Sequence, residues 1–505
     1  MAWTLFAAYL AGTAWLGWLA YRRTTDFSSF AVGNRNMHPV VVGITLAASV
    51  ASAATFIINP GFVYVDGFSA WFHMVVGTAI GFVCMLYLLS FQFRRIGEQT
   101  RALTIPDWVG KHYRSRGFAL YFSILNLLSF AFVVLLVGGI SIVMQSLLGI
   151  SNAAALVITL VFVTGYVFIG GTYAHVLTNM LQGTLMIGVT LLILGACLKL
   201  ALTEPVPILD QLRNVDPNLV KLVNREGLLF NDVFSIYIAG FVIGAVLVCQ
   251  PHILTKALYV KTDSDVRRYL ALFTVVFVLF FLLGTVGFFA HLVVPPEALT
   301  DPGTSRFRQD LVMTVFLKTV FPEWVFTLIS VVLLAAAMST LDGLLVSIST
   351  ITANDLVLNV FTGQEGASDE KRMRLALRVS HAVLIVIAVA AFLINLNPPR
   401  LLGVFGQVGV YGLAVAAAPP LLLGVLYERA PLALVWPGSA IAILIHFSLF
   451  FHGSSLFPGS SLTFANPGVT AAIAALATIP VMLLLARLQA RRQQKKLAVP
   501  DARAP

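Results

Sequence analysis

Along the chain, apolar runs of about 20 residues recur between short polar, Gly or Pro stretches, and a run of that length is what one helical crossing of a bilayer needs. Thirteen such runs predict thirteen membrane helices, numbered here as spans 1 to 13. They cover residues 3–21, 38–65, 69–90, 118–148, 153–171, 180–202, 231–254, 268–294, 323–353, 374–394, 401–426, 431–452 and 468–487. Stretches such as "YFSILNLLSFAFVVLLVGGISIVM" are apolar in every register. A membrane barrel would instead need alternating segments of roughly ten residues. Charged residues make up only 11% of the 505, against roughly 25% in soluble domains, so lipid must be the solvent for most of the surface.

The basic residues orient these spans. With the N-terminus outside, the inner segments carry Arg22, Arg23 and Arg35, then Arg94, Arg95, Arg101, Lys111, Arg114 and Arg116. Lys256, Lys261, Arg267 and Arg268 follow, and then Lys371, Arg372, Arg374 and Arg378. Arg429, Arg487, Arg491, Arg492, Lys495, Lys496 and Arg503 complete the inner set, which holds 24 of the 32 Lys and Arg. Inner loops of membrane proteins carry this bias. A multi-pass protein of the inner (plasma) membrane is expected, with its N-terminus outside and its C-terminus cytoplasmic. The formal net charge of +10 then reflects topology and contact with anionic lipid head groups, and no nucleic-acid partner is expected. Residues 1–487 read as a single transmembrane domain and 488–505 as a short basic tail without structure. The longest outer loops, 203–230 and 295–322, are too short for a separate domain. Cys84, Cys197 and Cys249 lie inside apolar runs without CxxC spacing, so neither a metal centre nor a disulfide set is expected. The opening run lacks a positive n-region, and Arg22 and Arg23 follow it, which makes it a span and not a signal peptide.

Two spans are interrupted. Span 2 has a core of small residues from Ala47 to Thr55 and then Asn59-Pro60-Gly61, and span 7 carries Gln250-Pro251-His252 near its inner end. The interruptions are five spans apart, the offset expected if spans 2–6 and 7–11 are inverted copies. Unwound backbone frees carbonyls that can hold a cation, and half-helix ends add dipoles. In span 9, "LLAAAMSTLDGLLVSISTITANDL" places the hydroxyls of Ser339 and Thr340 side by side in an apolar helix, with Asp342 two residues on. A hard cation such as sodium takes several oxygens and no sulfur, and hydroxyls with freed carbonyls supply them. Taken alone, either hydroxyl also fits a bond back to its own helix.

Four stretches together resemble the sodium:solute symporter family over nearly the whole chain: "FAVGNRNMHPVVVGITLAASVASAATFIINPGFVY", "GGTYAHVLTNMLQGTLM", "CQPHILTKALYVKTDSDVRR" and "AAAMSTLDGLLVSISTITANDL". The resemblance implies an all-α polytopic protein with a leucine-transporter-like 5+5 inverted-repeat core and flanking helices. It also implies a sodium site made by the carbonyls of Ala48, Ala51 and Ala336 with the hydroxyls of Ser339 and Thr340. Many members have Asp where this chain has Asn179, a position tied to the ion pathway or a further sodium. One sodium per solute is therefore expected. Lys256 stands where relatives often have Arg, without consequence if it faces the cytoplasm, and Val50 replaces an Asp of the proline-transporting members. Asp342, an ionisable residue within a span, is a candidate for tuning the ion site or carrying a proton.

A small solute is expected near the midplane, with Ser52, Thr55, Trp71, His73, Gln250, Gln407 and Tyr411 as candidate contacts. No Lys or Arg lies deep in an expected span, so an anionic solute would rely on helix N-termini, amides, hydroxyls or the sodium itself. The pattern is nearest the pantothenate, monocarboxylate and proline branch, which implies a carboxylate-bearing solute carried by sodium symport. The alternatives are a proton-coupled transporter of the same fold, with Asp342 as the residue to suspect, or a solute-sensing module. The short tail leaves no room for a kinase, so sensing would need a partner. HExxH, GxSxG and Walker-type stretches do not occur, so neither an enzyme nor a cofactor beyond the coupling ion is expected.

Overall fold

The computed structural model describes residues 1–52, 54–300, 307–357, 369–399, 402–427 and 430–498. Leu401 at the start of span 11, Arg429, and the tail from residue 499, including Arg503, lie outside the described residues. Among the described residues, nine helices are long and apolar enough to cross a membrane, and two bent pairs would each add one crossing. The helices follow the expected runs. Span 1 corresponds to the helix Ala2–Tyr21, which is not among those nine. Spans 3, 4, 8 and 9 are Phe68–Gln99, Arg116–Gln145, Asp263–Val293 and Glu323–Val357. Spans 10, 11 and 12 are Asp369–Leu396, Leu402–Leu426 and Leu432–Leu456. Span 13 runs on as Pro467–Ala498. The basic segment to Ala498 is therefore helical, contrary to the expected unstructured tail, because Ala, Leu, Gln, Lys and Arg are all good helix formers.

Spans 5 and 6 hold the second departure. The expected gap at 172–179 is helical, and both spans belong to one run, Asn152–Thr203, of 52 residues. A straight helix of that length would measure about 78 Å, more than twice the hydrocarbon thickness, so the chain has to turn. It turns at Gly171 (φ 48°, ψ −134°), a conformation that only glycine adopts without strain. A Cβ there would also lie 2.4 Å from the Phe30 ring.

Span 2 divides into Pro39–Val50 and Ala54–Asp66, bent by 56°, and span 7 into Phe234–Leu247 and Pro251–Tyr259, bent by 62°. Span 9 threads the centre of the bundle. From Ile329 to Ile351 every residue except Ser347 is buried, against span 2, span 4 and the Asn152–Thr203 helix. Span 1 lies along that long helix and turns Trp3, Trp15 and Trp18 outward. The Arg22 guanidinium sits 4.0 Å over the Trp18 ring, as an anchor at a membrane interface would.

Part of the inner basic set staples helices together. Arg94, 7% exposed, donates to Glu98 (2.8 Å), to Lys261 O (2.5 Å) and to Asp263 (2.6 Å), joining span 3 to span 8. Arg35 donates to Gly97 O (3.0 Å) and to Ala102 O.

Gly171→Ala is expected to lower thermal stability in detergent by at least about 1–3 kcal/mol from backbone strain alone. Gly165→Ala, where a Cβ meets nothing within 4 Å, should stay within about 0.5 kcal/mol of the parent. Melting curves of the two variants side by side check the turn.

Candidate ion site

The break in span 2 is a redirection of backbone hydrogen bonds. In an unbroken helix the Ser52 N–H would go to Ala48 O. Here it goes to Val50 O (2.9 Å), and Ala51 takes a non-helical conformation (φ −77°, ψ 70°). The freed carbonyls are met from span 9. Ser339 Oγ lies 2.8 Å from Ala48 O and 2.7 Å from Ala336 O, and Thr340 Oγ1 donates to Ser49 O at 2.9 Å. Ala48, Ala51, Ala336 and Ser339 are fully buried and Thr340 is 1% exposed. Four of the five residues expected to hold sodium thus gather at the crossing of spans 2 and 9, and Ala51 ends the half-helix beside them. Their oxygens are neutral and hard, the donor type that suits sodium. Among the described residues, no group of three or more His, Cys, Asp or Glu is placed to hold a metal.

A polar network surrounds this cluster. Asn179 Nδ2 donates to Ser49 Oγ (3.0 Å) and to Ser339 O (2.8 Å). Ser49 Oγ donates in turn to Thr45 O (2.8 Å). Asp342, with no exposed surface, accepts from Tyr166 Oη (3.0 Å) and Thr178 Oγ1 (3.2 Å) and pairs with His175 Nδ1 (2.8 Å). Gly343 leaves room for that ring, since a Cβ there would lie 2.9 Å from His175 Cε1.

Lys256 does not face solvent. It is 1% exposed, and its Nζ donates to Ser49 Oγ (3.1 Å) and to His252 O (2.8 Å). The expectation that no Lys or Arg lies deep is corrected here. After Gln250, the N-cap of Pro251–Leu254, the chain continues helically through Tyr259, which carries Lys256 back into the core.

The candidate solute contacts do not all meet. Ser52 and Thr55 flank the break in span 2, and Gln250 stands at the break in span 7; all three are buried. Span 3 runs parallel to the first half of span 7, with Gly77 and Gly81 against Phe241. His73 is level with Ser235, whose carbonyl is 2.6 Å from its Nδ1, and its ring packs on Phe230. Trp71 packs between Phe68 and Phe72. Ser235 precedes Gln250 by a helix length of roughly 20 Å, so His73 and Trp71 belong to the Phe234 end of span 7 and not to the neighbourhood of Gln250. Gln407 and Tyr411 are half-buried, one helical turn apart on span 11. Trp71 Nε1, Gln250 Oε1 and Asn179 Oδ1 are buried without a hydrogen-bond partner among the described residues.

Sequence reasoning missed Ser49, Tyr166, His175, Thr178 and Lys256. For the long helix a signal existed: His175, Thr178, Asn179 and Gln182 fall at positions i, i+3, i+4 and i+7, one polar stripe in an apolar segment.

The sodium:solute symporter family model matches residues 30–433. The sodium/pantothenate symporter of Haemophilus influenzae is 27% identical over 433 residues, 84% of this chain and 85% of that protein. The sodium/proline symporter of Escherichia coli is 26% identical over 443 residues, 84% of this chain and 82% of that protein. Among solved structures, a substrate-bound, outward-open Na+-coupled sialic acid symporter aligns with a TM-score of 0.74 at 17% identity, over 96% of this chain and 98% of that one. Mhp1, a nucleobase-cation-symport-1 family transporter in a closed conformation, aligns with a TM-score of 0.52 at 16% identity, over 91% of this chain and 95% of that one. These likenesses show the fold, a leucine-transporter-like 5+5 core with flanking helices.

Asp342→Leu removes the acceptor of Tyr166 and His175, while Thr178 keeps Ala174 O (2.9 Å), and should destabilise the protein by about 3–5 kcal/mol. Asp342→Asn keeps one acceptor oxygen and should cost distinctly less. Thermal unfolding in detergent checks the order, and equal losses would contradict the bonding described.

Proposed function

Because the chain belongs to the sodium:solute symporter family, we propose that it imports a small carboxylate-bearing organic solute, coupled to the entry of one sodium ion per solute. The solute class comprises monocarboxylates, pantothenate and amino acids. The observation that carries the sodium reading is the oxygen cluster of Ala48, Ala336, Ser339 and Thr340 at the break in span 2. Ala51 O completes the proposed ligand set. The relatives support the solute class, since pantothenate and proline symporters are similar along most of the chain. In this reading the N-terminus is outside, the C-terminus is cytoplasmic, and the inner arginines face anionic lipid.

Spans 2–6 and 7–11 act as the two inverted repeats, with the solute between their broken helices. Ser52, Thr55 and Gln250 are its nearest polar candidates, and Gln407 and Tyr411 approach from span 11. The unpaired acceptor Gln250 Oε1 favours a solute that carries a hydroxyl or N–H donor as well as its carboxylate.

The test is uptake of labelled pyruvate, acetate, pantothenate and proline into vesicles containing the purified protein. Uptake of at least one solute is expected to require an inward sodium gradient. The Ser339→Ala/Thr340→Ala double variant should raise the sodium concentration for half-maximal uptake by about tenfold or more, the equivalent of about 1.4 kcal/mol of lost ligation. Uptake driven equally by a proton gradient without sodium would overturn the sodium assignment.

A further inference from the structure

Ser49 is shared between two systems. Its carbonyl accepts the hydroxyl of Thr340, a member of the oxygen cluster, while its hydroxyl accepts from the Lys256 ammonium and the Asn179 amide. The Lys256 amine is therefore held one residue from Ala48, in a place with almost no solvent contact. The buried carboxylate within electrostatic reach is Asp342, and its oxygens are occupied by Tyr166, His175 and Thr178. The ammonium rests on neutral oxygens, those of Ser49 and His252. Two of its three N–H donors are used. Asn179 Oδ1, on the amide that shares Ser49 Oγ, is a buried acceptor without a partner among the described residues.

The lysine is also placed where it can move. It sits on the short inner half of span 7, beyond a 62° bend at Gln250-Pro251, and its four-carbon stem is flexible. The same half-helix supplies His252 and Thr255 to a narrow cleft whose other walls include His175, Gly343 and Thr104. Thr104 follows the inner end of span 3 and donates to Asp355 at 2.5 Å. The cleft thus runs from beside Asp342 toward the inner ends of spans 3 and 9.

We propose that Lys256 is a tethered cation that governs sodium release: its ammonium and a sodium ion at the Ala48–Ser339–Thr340 cluster exclude one another across Ser49. Two like charges a few ångströms apart in a dry interior repel strongly, so sodium binding pushes the ammonium off Ser49. Its return weakens sodium and favours departure along the cleft. A carbonyl and a hydroxyl of one residue serve the two cations, which makes the exclusion local and needs no long-range pathway. Lys256 is in this sense a positioning residue for ion release, acting through Ser49. The inference rests on the sodium reading above.

The test uses the purified full-length protein and radioactive sodium, with equilibrium binding and rapid-dilution release measured on the parent, Lys256→Met, Lys256→Gln and Lys256→Arg. Met and Gln keep most of the stem and remove the charge, and Arg keeps the charge. Both neutral variants are expected to bind sodium about tenfold more tightly and release it about tenfold more slowly, within the usual range of a coupling between two sites. Arg should stay within about threefold of the parent. Unchanged or weaker sodium binding in the neutral variants would overturn the proposal. So would an Arg variant that shifts as the neutral ones do, because the effect would then follow packing and not charge. Should Met prevent folding, Gln and Arg carry the same comparison. Failure of the parent to bind sodium at all would defeat the sodium reading itself, a result distinct from saturable binding that ignores the charge at Lys256.

Discussion

The inner architecture depends on one hydrogen bond that span 2 does not make, the helical bond from the Ser52 N–H to Ala48 O. Within a membrane no water stands ready to satisfy a released carbonyl, and leaving it bare is costly. The release is tolerable because span 9 brings hydroxyl groups to the same place. Ser339 meets Ala48 O and Thr340 meets Ser49 O. Small residues make the approach possible: Ala47, Ala48 and Ala51 present little more than backbone, and Gly183 of the long helix comes close enough that a Cβ would lie 3.2 Å from the Ala48 Cβ. The oxygens that end up together are satisfied by two exchangeable hydroxyl protons. A hard cation can replace such bonds with few changes in position.

The charged groups around this junction obey the same accounting of partners. Asp342 and Lys256 are both ionisable and both buried, yet each is hydrogen-bonded to other groups and not to the other. Replacing such a pair with apolar side chains often stabilises a protein, so their presence argues for a role other than holding the fold. Ionisable groups within membrane spans carry that presumption in general. Their arrangement around Ser49 and Thr340 gives it a specific form, a local field that a third charge must enter.

Much of this was legible in the chain because breaks in membrane helices announce themselves. Pro60, Pro251 and the run from Ala47 to Thr55 mark the two bent spans, and Ser339-Thr340 stand out against their apolar surroundings. What stayed hidden has physical causes. Lys256 follows an apolar run that looks finished at Leu254, and nothing in hydropathy says that the chain past Pro251 folds back into the core. Polar residues usually mark loops, so His175, Thr178 and Asn179 read as part of a gap between spans, whereas they face the interior of the bundle from the helical stretch that follows Gly171. His73 and Trp71 were misplaced for a third reason. Hydropathy fixes which residues cross the membrane but not their depth, and the pairing of His73 with Ser235 O is what sets that depth.

The placement of the cluster also bears on how ion binding can be turned into motion. A ligand shifts a conformational equilibrium only by the difference in its affinity for the two states. Oxygens on one rigid helix would hold a cation equally well in any arrangement of its neighbours and would transmit nothing. Here the oxygens are divided between a bent helix, span 2, and an unbroken, enclosed one, span 9. Separating the two by even 1–2 Å, the scale of ordinary helix shifts, would remove half of the donors at once. A cation at this crossing therefore favours the state in which spans 2 and 9 are together. The bend in each broken helix is where the rest of the chain can yield while that contact is kept or lost.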